Sequence, residues 1–362
     1  MTERPLTERP LTERPLTEST VTQSTVTQST VTQSTGQPAG PAVVVGLGTV
    51  DPALVAGPLR GRATFVPSPR PQDLAAAAGA IVRADAVVDA ELLGRMPNLR
   101  VLARTGVGVD LVDVDAATER GIAVVITPGS GTGAVAEGVI GMALHLVKRF
   151  GPLTSLVRSG GWGKRHEVAV GDLEGSTIGI IGYGRIGQRV GELARAFGMR
   201  VLAYDPVTAP PDDVRCADVS DIAAGSDVIT LHTPLTEATR HLVSRGFLST
   251  VKPGAVLINC GRGALIDSDA VLDALLAGRL SGVGLDVFEP EPPAHHPLFD
   301  HPDVVLTPHL MGLSRRATAA TFADAARGVA DVLAGRRPAA LANPGWTPAP
   351  QPDDRLAEGK TP

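Results

Sequence analysis

From Pro41 onward the chain alternates short apolar runs with stretches of helical spacing. The runs AVVVG (42–46), ATFVP (63–67), AIVRA (80–84), RVLAR (100–104) and IAVVI (122–126) read as strands. Between them, PQDLAAAA, DAELLGRM and DVDAATERG carry helix starts and helical spacing, the last closing at Gly121. Strand–helix alternation predicts parallel strands joined by right-handed crossovers. A helical stretch over 132–150 follows, and its small residues suit close packing between two domains. A second series then runs TIGIIG (177–182), RVLAY (200–204), DVITLH (227–232), AVLINC (255–260), GVGLDVF (282–288) and DVVLT (303–307). Six such runs match a complete doubly wound nucleotide-binding sheet. The segment 314–335 predicts one long amphipathic helix. Because the second series is embedded in the chain, the first unit is expected to be completed by this C-terminal helix. The chain would then cross twice between domains, forming a hinge over a cleft. The expected layout is a low-complexity segment 1–40, one domain from 41–127 with 311–340, a nucleotide-binding domain 128–310 and a flexible tail 341–362.

Composition narrows the class. A chain of 362 residues can hold two well-filled cores, on a scale of ~100–200 residues each. The net charge of −5 leaves no basic footprint for a nucleic-acid partner. Cys216 and Cys260 lie far apart without metal-ligand spacing, so neither a disulfide framework nor a bound metal is expected, and a reducing compartment fits. No apolar run approaches the ~20 residues a membrane span needs, and the N-terminal segment lacks the apolar core of a secretory signal. The expected location is the cytoplasm, with no membrane partner. TERPL repeats in tandem from Thr2 and STVTQ from Ser19, with too little apolar surface to offset the entropy of ordering them.

Candidate chemistry begins at GIIGYGRIG, where Gly182, Gly184 and Gly187 follow an apolar strand and open a helix. Gly182 allows the tight turn, Gly184 lets the backbone approach a pyrophosphate, and Gly187 lets helix and strand pack closely. The N–H groups around Arg185 and Ile186 would face the phosphates at the positive end of the helix. Asp205 ends the next strand, where a carboxylate accepts from the ribose hydroxyls and repels a 2′-phosphate, favouring NAD over NADP.

Ligands of open α/β sheets bind beyond the carboxyl ends of the strands. His232, Thr233 and Pro234 follow the third strand of the second series, and Arg262 follows the fourth, between Gly261 and Gly263. Asp286 and two glutamates follow the fifth, and His309 the sixth. An arginine between glycines is free to offer its fork of donors to a carboxylate or a polarised carbonyl.

GVGVD (106–110), GYGRIG (182–187), HTPLT (232–236), NCGRG (259–263), GLDVFEPEP (284–292) and TPH (307–309), in this order, resemble the D-isomer-specific 2-hydroxyacid dehydrogenase family. The resemblance covers about 42–335. It implies an α/β fold in which a central NAD-binding Rossmann domain is inserted in a flavodoxin-like substrate domain. It implies Arg262, Glu291 and His309 as the catalytic residues: His309 as acid–base, Glu291 as its orienting acid and Arg262 as the substrate clamp. Thr233, Cys260, Asp286 and Gly312 fall beside the cofactor, with Asp286 at the nicotinamide carboxamide. Val107 and Gly108 fall in the loop whose N–H groups cradle the substrate carboxylate. A small 2-hydroxy or 2-oxo acid substrate and a homodimer follow, in a short form without a C-terminal regulatory domain.

The chain departs from the family pattern at Leu111, Ile126 and Gly131, where polar Asn is frequent, and at Met311, where a small residue is usual. Met311 is expected to narrow the pocket. Glu289 reads as a loop neighbour, and His166, His241, His295, His296 and His301 as solvated. His145 reads as a packing residue and Trp162 as a hydrophobic anchor. Two other readings remain: an NAD(H)-sensing, corepressor-like protein, and a formate- or phosphite-type dehydrogenase.

Overall fold

The computed structural model describes residues 41–347 apart from Ala84. The readings made for 1–40 and 348–362 lie outside the described residues.

Two parallel sheets organise the chain. The first contains β1 (Ala42–Leu47), β2 (Ala63–Val66), β3 (Ala77–Val82), β4 (Val101–Arg104) and β5 (Ala123–Val125), in the order β2-β1-β3-β4-β5. The second contains β6 (Thr177–Ile181), β7 (Arg200–Tyr204), β8 (Val228–Leu231), β9 (Ala255–Asn259), β10 (Leu280–Leu285) and β11 (Val304–Leu306), in the order β11-β10-β9-β8-β6-β7. A single parallel bridge, Ala203 to Arg215, adds a rudimentary edge beyond β7. Strands β4, β5, β6, β8 and β9 are buried throughout, which is why they read as continuous apolar runs rather than alternating ones. Strand order reverses between β1 and β3 and between β6 and β8, the points where such sheets open a crevice.

The C-terminal helix Arg315–Leu333 returns to the first sheet. Phe322, Ala325, Ala326 and Val329 share a core with Val44, Ile81, Val101 and Val125. The chain therefore leaves the first sheet after β5 and comes back after β11, as the embedded second series predicts. The helix Thr132–Val147 belongs instead to the second sheet: its Ala136, Val139, Met142 and Leu146 pack with Ile178, Ile180, Val256 and Ile258.

Four boundaries differ from the sequence expectation. The alanine run 75–78 splits, because Ala77 is fully buried and pairs with Val43, so the helix stops at Ala76 and β3 starts at once. Strand β10 stops at Leu285, freeing Asp286 from the ladder. The long helix ends at Val147, and Arg149 takes a left-handed conformation (φ 57°) before a second helix, Phe150–Arg158. Arg149 is held there by Asp303 at 2.9 Å and the Ser281 carbonyl at 3.3 Å. Finally, the residues to Thr347 are not a loose tail. Leu341 bridges Val125, Ala342 donates to Val124 O (2.8 Å), Val124 donates to Asn343 Oδ1 (2.9 Å) and Trp346 Nε1 donates to Gly121 O (2.9 Å). β5 is a sheet edge, and this segment satisfies the backbone groups it would otherwise leave open.

Candidate active site

The turn after β6 confirms a need for glycine at two positions. Gly182 has φ 94°, and a Cβ there would lie 2.5 Å from the carbonyl carbon of His232. A Cβ on Gly187 would lie 2.2 Å from Gly182 O. A Cβ on Gly184 would meet open space, and no side chain caps the Arg185–Ala196 helix that starts beside it. The helix thus presents its N–H groups at an uncrowded backbone, the arrangement a pyrophosphate requires. Asp205 lies opposite and ties the region together. Its Oδ2 accepts from Tyr183 N (2.8 Å), and its Oδ1 accepts from Val207 N and Thr208 N (both 2.8 Å). These residues fit a dinucleotide.

His232, Thr233 and Pro234 follow β8 across the switch point, packed against Gly182. His232 Nε2 shares a 2.9 Å hydrogen bond with Thr230 Oγ1, while Nδ1 is sealed without a partner among the described residues. Part of the residue reaches the surface, but burial of the ring lowers its pKa to about 3, so it is neutral across physiological pH. Burial first, and then the nearby Asp286 charge, push the Cys260 thiol up to about 12. Neither residue can exchange protons in the neutral range.

Three loops on adjacent strands carry the expected reactive residues. After β9, the fully buried Asn259 donates from Nδ2 to Arg262 O (2.8 Å) and accepts at Oδ1 from Gly261 N (3.0 Å). Gly263 lies so close to the next loop that a Cβ would fall 2.0 Å from the carbonyl carbon of Phe288. After β10, Glu291 Oε1 accepts from Phe288 N at 2.9 Å. Its Oε2 lies 2.7 Å from Nδ1 of His309, which follows β11. With Nδ1 on the glutamate, Nε2 is the end of the ring left for a substrate. His309 itself has φ 55°, a left-handed conformation that costs a residue with a Cβ and recurs at functional sites.

Asp286 holds that turn. Its Oδ1 accepts from Thr307 Oγ1 (2.7 Å) and Leu310 N (2.9 Å), and its Oδ2 accepts from Met311 N (3.2 Å). Burial raises its pKa despite these hydrogen bonds and the His309 charge. The family resemblance implies a place beside the nicotinamide for Asp286; what the structure shows is that it buckles the loop bearing His309.

The first sheet supplies the other wall. Arg262 donates from Nη2 (3.0 Å) and Nε (3.2 Å) to Asp110 Oδ2, across 152 residues of sequence. A Cβ on Gly108 would lie 2.4 Å from Arg262 Nη2, so the guanidinium rests on the Val107–Gly108 backbone. Behind the loop, the buried Arg104 donates from Nε to Gly108 O (2.9 Å) and from Nη1 to Arg83 O. Asp110, Arg104 and Asn259 were not singled out from the sequence. Arg104 carried a readable signal, an arginine closing an otherwise apolar strand; Asp110 and Asn259 were visible only as members of GVGVD and NCGRG.

Several expectations are corrected. Met311 lays its side chain in the notch over Gly138, where a Cβ would lie 2.3 Å from the sulfur. Trp162 is 63% exposed, with Arg165 over its ring at 5.4 Å, and is no buried anchor. His295, His296 and His301 do more than meet solvent. The first two pair with Asp300 (3.0 Å) and Asp269 (3.2 Å), and His296 and His301 accept from Leu298 N (3.1 Å) and Asp303 N (3.2 Å). Glu289 is a loop neighbour, bound by Arg240 at 3.0 Å. His145 packs edge-on to Phe150, and His166 and His241 are exposed. Gly312 lies against the start of the Thr132–Val147 helix, its carbonyl 3.2 Å from where a Gly131 Cβ would be. A cavity of about 600 Å³ at the β1/β3 switch point, lined by Leu47, Pro67, Asp85 and Val87, touches none of the reactive residues. Among the described residues no acidic, His or Cys cluster could hold a metal ion.

A dinucleotide cradle beside an arginine, a glutamate and a histidine on adjoining strand ends defines a class of NAD-binding protein. Residues 140–311 match the family model described as D-isomer specific 2-hydroxyacid dehydrogenase, NAD binding domain. The chain is 38% identical over 234 residues to the hydroxypyruvate reductase of Thermotoga maritima, covering 64% of this chain and 76% of that protein. It is 37% identical over 262 residues to the D-3-phosphoglycerate dehydrogenase of Methanocaldococcus jannaschii, covering 70% of this chain and 49% of that one. The chain thus spans about half the length of the curated D-3-phosphoglycerate dehydrogenases it matches. The crystal structure of D-lactate dehydrogenase from Aquifex aeolicus complexed with NAD and lactic acid aligns with TM-score 0.71 at 29% identity, covering 81% of this chain and 96% of that one. The chain belongs to the D-isomer specific 2-hydroxyacid dehydrogenases, and its cofactor is NAD.

Proposed function

We propose that this protein is an NAD-dependent D-2-hydroxyacid dehydrogenase working as a 2-oxoacid reductase. The observation that carries the reading is the 2.7 Å Glu291–His309 contact, held on a left-handed turn at the end of β11. NAD, held by Gly182 to Gly187, Asp205, His232 to Pro234, Cys260, Gly261, Asp286 and Gly312, supplies the hydride acceptor or donor when bound. Glu291 fixes the ring through Nδ1, so that Nε2 of His309 delivers a proton to the carbonyl oxygen of a 2-oxo acid, and removes it in the oxidative direction. Arg262 binds the substrate carboxylate with the N–H groups of Val107 and Gly108, and its positive charge nearby favours the negative charge growing on the carbonyl oxygen. Residues 41–127 with 311–340 form the substrate domain and 128–310 the NAD-binding domain. No helix among the described residues is long and apolar enough to cross a membrane. A cytoplasmic location without nucleic-acid or membrane partners belongs to the same proposal, and the net charge of −5 offers no basic footprint for nucleic acid. Phe150, Val157, Trp162 and Val170, exposed within one short segment, support a homodimer through this segment of the chain.

The test is NADH oxidation across a panel of 2-oxo acids, among them hydroxypyruvate, glyoxylate and pyruvate. At least one is reduced, and Arg262→Ala and His309→Ala each lose ~10²-fold or more in kcat/KM. Tight NADH binding without turnover of any acid would overturn this reading in favour of an NAD(H) sensor.

A further inference from the structure

Arginine carries five N–H groups in a fixed plane. In Arg262, the Nε–H and one Nη2–H go to Asp110 Oδ2 (3.2 and 3.0 Å), and one Nη1–H goes to Gly261 O (2.8 Å). That accounts for the side edge of the guanidinium and for the Nη1 hydrogen facing its own backbone. What remains is the end-on pair, one N–H from each Nη, parallel and spaced to receive both oxygens of a carboxylate. We infer that Asp110 is a positioning residue that aims this end-on fork of Arg262 at the substrate carboxylate. The inference rests on the functional reading above.

Two further features of the loop support it. Gly108 leaves no room for a Cβ beneath Nη2, so the guanidinium has one resting plane against the backbone. The second guanidinium, Arg104, lies buried behind the same loop and repels Arg262, while Asp110 attracts both. Asp85 also faces Arg104, so that guanidinium is balanced from its own side of the loop and Asp110 is the acid that Arg262 shares with it. Burial alone would raise the Asp110 pKa; the charge and hydrogen bond of Arg262 outweigh it and hold the carboxyl below its ordinary range. Asp110 belongs to the loop after β4 and Arg262 to the loop after β9, so the aim of the fork depends on the two sheets being brought together.

The test compares Asp110→Ala, Asp110→Asn, Arg262→Ala and the double variant Asp110→Ala/Arg262→Ala. Readouts are kcat and KM for the best 2-oxo acid, NADH affinity, and binding of oxamate to the NADH-loaded protein. Asp110→Ala is expected to raise KM and weaken oxamate by about 10-fold or more with NADH affinity unchanged. Asp110→Asn, which keeps an acceptor oxygen, recovers part of the loss. The double variant is no worse than Arg262→Ala, because Asp110 acts only through the arginine. An Asp110→Ala protein with unchanged KM and oxamate binding, or one whose loss repeats in full without Arg262, would overturn the inference. Should the wild type reduce no 2-oxo acid, the functional reading fails, and the same double-variant cycle read by oxamate binding still upholds or overturns the role of Asp110.

Discussion

At the scale of single residues, the site works by spending backbone N–H groups on carboxylates. Asp286 takes Leu310 N and Met311 N, Glu291 takes Phe288 N, and Asp205 takes Tyr183 N, Val207 N and Thr208 N. Each acid therefore shapes the loop around it. The double duty of Asp205 gives a prediction in two parts. Asp205→Ala should erase much of the preference for NADH over NADPH in steady-state kinetics. It should also cost about 1–3 kcal/mol of stability by denaturant unfolding, because the buried Tyr183 N–H loses its acceptor. Unchanged cofactor preference would contradict the ribose assignment. Arg262 and His309 stood out because each follows an apolar run at a strand end, where such sheets bind ligands; Glu291 was told from Glu289 only by the resemblance of GLDVFEPEP to the family motif. Asp110 was not: its meaning lies in a contact 152 residues away, and nothing local marks it.

At the scale of elements, the helix Thr132–Val147 and the turn after β11 are fitted to each other through Gly138 and Met311. A side chain at Gly138 must displace the methionine, which is flexible, so the size of the intruder decides the outcome. Gly138→Val should destabilise by ~1–3 kcal/mol in thermal or denaturant unfolding, and Met311→Ala in the same chain should recover part of it. Equal stability of Gly138→Val and wild type would show that the notch is not filled. The periodic pattern revealed the existence and order of the strands, because buried parallel strands are continuously apolar. It misjudged where they end. Ala77 is as good in a helix as in a strand, and only its pairing with Val43 decides; the docking of 341–347 depends on the open edge of β5, which no local pattern in a Pro-rich segment reveals.

At the scale of the whole molecule, two buried groups bound the pH range of stability. His232 has a folded pKa of about 3 against an ordinary 6.5, so the unfolded chain binds the proton first. Its contribution is fully present above 6.5 and is lost as pH falls toward 3. Cys260 has a folded pKa of about 12 against 9.0, so its contribution is present below 9.0 and is lost as pH rises toward 12. Tm measured against pH should fall on both sides. His232→Gln should flatten the acid limb and Cys260→Ser the alkaline one; limbs unchanged by both substitutions would contradict the assignment. The two-sheet layout, with β1–β5 completed by a helix from the far end of the chain, brings Arg262 after β9 together with Asp110 after β4, while His309 after β11 meets Glu291 from the loop after the intervening β10. The most direct measurement of what that assembly does is chiral analysis of the acid formed from a 2-oxo acid and NADH. The account predicts the D-2-hydroxy acid, formed in step with NADH consumption and lost in His309→Ala. An L-product, or full activity without His309, would contradict it.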